Sequence, residues 1–126
     1  MKRFWLGIGI LVGLLGLGIG AQGWMDALHT PCAAELEQAA QEALQDNWSQ
    51  ALLLAEQASS RWEQTKKVIS SLADHTPMDE VDMLLAELHV YARAQEVPHF
   101  AACCTQLAAM IQAIGQAHAF NWWNLL

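Results

Sequence analysis

From Phe4 to Ala21 the chain runs for eighteen residues without a charged side chain, and the next charge is Asp26. At about 1.5 Å per residue, a helix of that length covers roughly 27 Å, close to the hydrocarbon thickness of a bilayer. Trp5 and Trp24 bracket the run, and Lys2 and Arg3 precede it. Indole rings favour the membrane interface, and short basic flanks remain on the cytoplasmic side. The expectation is a single-pass protein of the cell membrane with its N-terminus cytoplasmic. Residues 1–23 form the transmembrane anchor, and residues 24–126 form an extracytoplasmic helical domain.

A cleaved signal peptide competes with this reading. Gly18-Ile19-Gly20 and Ala21-Gln22-Gly23 place small residues at suitable spacing for cleavage. Signal h-regions are commonly about 7 to 15 residues, so the length favours retention as a signal anchor. Both readings export the body. Gly9, Gly13, Gly16 and Gly20 supply two G-x-x-x-G spacings. That pattern lets two anchors approach closely and permits a homodimer, though glycine is also a common filler of apolar helices.

The remainder has a different character. Of eight glycines only Gly115 lies outside the anchor, so turn signals are few and helix formers dominate. From Trp24 onward thirteen acidic residues face Arg61, Lys66, Lys67 and Arg93, leaving nine net negative charges. Such a surface opposes nucleic-acid binding, which needs a basic footprint.

Thr30-Pro31 reads as an N-cap with proline at the first helical position, opening a helix to about Gln45. Ala33, Leu36, Ala40 and Ala43 lie on its inner face. Residues 24–29 continue the anchor as a stalk, with a bend at Pro31. Asn47 to Gln50 has capping-box spacing, so a second helix starts at Trp48 and runs to near His75. Trp48, Ala51, Ala55, Ala58, Trp62, Thr65, Ile69 and Leu72 form its stripe, in the three-four alternation of an antiparallel bundle. Thr76-Pro77 repeats the cap signal, with Met78, Val81, Leu85, Leu88 and Ala92 on the apolar face. Pro98 opens a fourth helix striped by Phe100, Cys104, Leu107, Ile111, Ile114 and His118.

Short joints make sequential neighbours antiparallel. The fold class is therefore all-α: an N-terminal transmembrane helix followed by two antiparallel helical hairpins, tetratricopeptide-like or bundle-like. Leu36, Ala39, Ala40 and Trp48 echo Leu88, Tyr91, Ala92 and Phe100 at an offset of 52. The full repeat signature is missing. Up-down alternation returns Trp122 and Trp123 toward the bilayer.

No arrangement of residues announces catalysis, a metal site or a cofactor, so the chain is read as a non-enzyme. Glu96-Val97-Pro98-His99 has the E-x-x-H spacing of di-metal bundles, but those need two such pairs. Asp74, His75, Asp79 and Asp82 cluster at the junction of helices two and three, where dipole complementarity accounts for the charges and a divalent cation or partner is the alternative. His29 and His89 read as solvated. Cys32, Cys103 and Cys104 read as buried apolar thiols, with an intermolecular disulfide as the sharper alternative.

Asp46-Asn47-Trp48-x-x-Ala51, Trp62-x-x-x-Lys66-Lys67, Asp74-His75-x-x-Met78-Asp79-Glu80-Val81-Asp82 and Leu85-x-x-Leu88 form a recognisable series. With the anchor and the Asn124-Leu125-Leu126 ending, it resembles domain of unknown function 4363, an uncharacterised Firmicutes family of single-pass helical proteins. Thr76-Pro77 stands where that family usually has acidic residues, and alanine and glutamine are more abundant here. The resemblance implies export, this architecture and an accessory role beside a multi-pass membrane protein; it implies no activity.

The leading expectation is thus a membrane-anchored interaction or accessory module of a membrane complex, with another membrane protein as partner. A domain sensing an extracytoplasmic ligand or metal ion is the alternative. Candidate interaction residues are Trp48, Trp62, Asp74, His75, Asp79, Asp82, Trp122 and Trp123.

Overall fold

The computed structural model describes residues 1–70 and 76–123, with side chains throughout except those of Gln22, Met25 and residues 118–123. It is all-helical, with four helices in the described residues: α1 (Lys2–Leu44), α2 (Trp48–Ile69), α3 (Thr76–Ala94) and α4 (Val97–Trp123).

Helix α1 is a single element of 43 residues, about 65 Å long at 1.5 Å per residue. No helix end falls at Pro31, which lies inside α1, so the expected cap at Thr30 is not formed. An interior proline forgoes one backbone bond at a cost of about 3 kcal/mol. Burial just beyond it offsets that cost: Cys32, Ala33 and Leu36 are at most 1% exposed. The two ends of α1 live in different surroundings. Its apolar run has open space around every glycine, and Phe4, Trp5, Leu11, Leu17 and Ile19 are exposed. From His29 on, the same helix is part of the core.

The predicted stripes are the core. Ala51, Ala55, Ala58, Trp62, Thr65 and Ile69 are buried on α2, and Met78, Val81, Leu85 and Leu88 on α3. On α4, Phe100, Cys104, Leu107, Ile111 and Ile114 are buried. Leu72 and His118 lie outside the described side chains. Leu54 is buried and Leu53 is exposed, so only part of the leucine triplet widens the packed arc.

Helix pairing departs from sequential order. The most extensive packing joins α1 to α4, followed by α1 to α2 and α3 to α4, while α2 and α3 barely meet. Small residues explain the first pair. Gly115 on α4 brings the backbone close to His29 on α1, and the many buried alanines of the two helices keep side chains short.

Two turns share one construction. Asp46 and Gln95 adopt φ of 64° and 56°, the left-handed conformation that ends helices and usually falls to glycine. Beyond them the Asn47 N–H donates to the Glu42 carbonyl at 2.9 Å, and the Glu96 N–H donates to Tyr91 at 3.1 Å. These are Schellman closures. They are 49 residues apart, so the echo at 52 does not bring the turns into register. The Asn47 side chain does not cap α2; its amide donates to Glu42 Oε2 at 2.8 Å instead.

Candidate functional site

The seam between α2 and α3 holds most of the polar chemistry. Trp62 sits on the inner stripe of α2 and is 1% exposed. A buried indole N–H needs an acceptor, and Asp82 Oδ1 on α3 accepts it at 2.9 Å. The other carboxylate oxygen of Asp82 accepts from Lys66 Nζ at 2.9 Å. Lys66 also reaches Glu63 one turn earlier, at 3.3 Å. Hydrogen bonding to Asp82 is the main reason the Lys66 ammonium is held above its ordinary pKa. One aspartate thus ties two helices that otherwise barely meet.

On either side of this link the seam opens. A cavity of about 240 Å³ is lined by Lys66, Lys67, Ser70, Met78, Asp79 and Asp82. A second, of about 220 Å³, is formed by Leu52, Ala55, Leu88, Ala92 and Phe100, with Glu56 and His89 at its edge. The first is mixed in charge and the second is apolar with a polar rim.

Of the residues singled out from sequence, Asp79 and Asp82 come together in the first cavity. Trp62 supports it from the core rather than offering a surface. Trp48 is half-buried and meets Phe100 edge-on, with ring centroids 4.9 Å apart. Asp74 and His75 lie outside the described residues, as do the side chains of Trp122 and Trp123. No group of three or more metal-ligating side chains forms among the described residues. Glu96 Oε2 and His99 Nδ1 lie 3.2 Å apart, and the His99 ring stacks on Tyr91.

His29, read from sequence as solvated, is 2% exposed. It packs where a Cβ on Gly115 would stand 3.2 Å from its own Cβ and Cγ. Polarity suggested solvent, but the position one turn before Cys32 faces α4. His89 is exposed, with its Nδ1 2.7 Å from the Leu85 carbonyl.

All three cysteines are free and buried. Cys32 donates to the Ala58 carbonyl at 3.3 Å, and Cys103 donates to Leu84 at 3.4 Å. Burial pushes Cys32 and Cys104 up to about 12 and Cys103 to about 11. Such thiols are poor nucleophiles at neutral pH. Sequence reading missed the Trp62–Asp82–Lys66 link and the apolar groove. The indole's need for an acceptor was a usable signal for the first, while the second depends on how α3 leans on α4.

These features coincide with a family assignment. The profile of DUF4363, a domain of unknown function, matches residues 25–125. The chain belongs to this family. Compared with curated proteins and with solved structures, it has no match.

Proposed function

We propose that this DUF4363 member is a single-pass membrane protein whose helical body serves as an interaction or accessory module for another membrane protein. The observation that carries the reading is the division within α1. Its N-terminal run is long and apolar enough to cross a membrane and is wholly unburied, while its C-terminal third is core. Exposed leucine, isoleucine and phenylalanine on that scale need an apolar surrounding. Helix α4 also has the length and composition of a span, but its stripe is already used against α1 and α3.

With Lys2 and Arg3 before the run, the N-terminus is cytoplasmic and the body is extracytoplasmic. The four helical segments of the body are read as two antiparallel hairpins, with the α2–α3 seam offered sideways to a neighbour in the same membrane. Half-buried Leu52 and Ala92 supply an apolar centre there over the core residues Leu88 and Phe100, and exposed Glu56 and His89 supply a rim, the layout of a small protein interface.

Purification of the full chain from membranes in mild detergent tests the role. A co-purifying integral membrane protein, lost on Glu56→Lys with His89→Glu at the exposed rim, is expected. Recovery of the chain alone contradicts it.

A further inference from the structure

The contact register along α1 defines how far the body stands from the apolar run. Trp48 and Phe100, at the starts of α2 and α4, meet at 4.9 Å, near the turn that ends α1. Both helices then run back along α1. Cys32 lies level with Ala58 through the 3.3 Å thiol bond, and α2 continues eleven residues further, from Ala58 to Ile69. Eleven residues back from Cys32 is Ala21. On the other side His29 lies level with Gly115, and the α4 backbone continues eight residues further, to Trp123. Eight residues back from His29 is again Ala21.

Two independent registers therefore bring the ends of α2 and α4 to the last residue of the apolar run. Exposure along α1 changes at this level: Ala21 and Leu28 are half-covered, while Phe4 to Leu17 are exposed throughout. We propose that the body has no stalk: the ends of α2 and α4 rest in the headgroup layer of the bilayer that α1 crosses, and Lys67 contacts phospholipid phosphate there. This rests on the membrane-spanning reading of α1.

The chemistry of the α2 end suits that place. Its last turn carries the adjacent cations Lys66 and Lys67. Lys66 is committed to Asp82 and Glu63, and Lys67 is exposed and pairs with no described carboxylate. A lysine at this depth lays its stem along apolar surface and lifts its ammonium to the phosphates. Because α1 is one helix through this level, the span brings the body to the membrane and the Lys67 contact holds the end of α2 down on it.

The test uses the full chain in phosphatidylcholine–phosphatidylglycerol vesicles containing a lipid spin-labelled at its headgroup. The native thiols are buried, so a fluorophore attaches selectively at Ser70→Cys or at Gln57→Cys, which lies roughly 20 Å further along α2. Strong quenching at position 70 and little at 57 is expected, with Lys67→Glu weakening quenching at 70. Weak quenching at both positions, in protein that still floats with vesicles after an alkaline wash, overturns the seat and leaves the span standing. Equal strong quenching at both also overturns it. Failure to float overturns the span and the seat together. Quenching at 70 that ignores Lys67→Glu overturns the phosphate contact.

Discussion

Gly115 is the one glycine outside the anchor, and His29 crowds the place where a side chain on it would begin. A methyl group would meet His29 Cβ and Cγ at 3.2 Å, atoms too close to the backbone to swing aside. Gly115→Ala regains about 1 kcal/mol of helix propensity but overpacks the contact by about 1–3 kcal/mol. A net loss of roughly 1 kcal/mol in denaturant titration is expected, recovered when His29→Ala is added to the same chain; a stabilised single variant would refute the close approach. The thiols make a second residue-scale prediction. Their folded pKa values, about 11 to 12, lie above the ordinary 9.0. The unfolded chain therefore releases these protons first, so stability is full below pH 9 and declines as pH rises toward the folded values. The raised Lys66 pKa acts in the same direction above 10.5. A melting temperature flat to pH 9 and falling beyond it is expected, with native thiols slow toward aromatic disulfide reagents at neutral pH. Fast labelling of the folded protein would contradict the burial.

At the scale of the helix, what was legible in the sequence was what is local. The stripes on α2, α3 and α4 follow from three-four spacing, and of their described residues all are buried but Trp48 and Ala92, which are half-buried. Pro31 was misread because its signal is ambiguous: proline suits a first turn, and only the packing of Cys32, Ala33 and Leu36 keeps the helix continuous through it. Asn47 does stand at the N-cap, with α2 starting at Trp48 as expected, but its side chain is turned to Glu42 and makes no cap bond. The joined pairs α1–α2 and α3–α4 do pack on one another, but the more extensive packing of α1 on α4 was not legible, since it depends on matching surfaces distant in sequence. The link across that weak contact is open to test. Asp82→Ala leaves the Trp62 indole buried without its acceptor, at a cost of about 1–3 kcal/mol. Asp82→Asn keeps an acceptor and costs less. Hydrogen exchange should quicken in α3 more than in α1 for the alanine variant, and uniform quickening would deny the link its local role. The turns offer a gain instead. Asp46→Gly and Gln95→Gly relieve left-handed strain and raise stability by about 0.5–1 kcal/mol each, read as a shift in urea midpoint.

The whole molecule is organised by α1, which carries an unburied apolar run into a packed acidic body without a break. The apolar run was evident from the sequence alone; how near the ends of α2 and α4 come to it was not, because that depends on the registers of Cys32 with Ala58 and His29 with Gly115. Membrane residence of the full chain is the most direct test. Cells making it are fractionated, the membranes are washed with high salt and then at alkaline pH, and protease is added outside intact spheroplasts. The expected result is a chain that stays with the membranes through both washes and loses its body to external protease, while Leu11→Arg with Leu15→Arg releases it. A full-length chain washed into the soluble fraction, or a body protected from external protease, would contradict the topology proposed for α1.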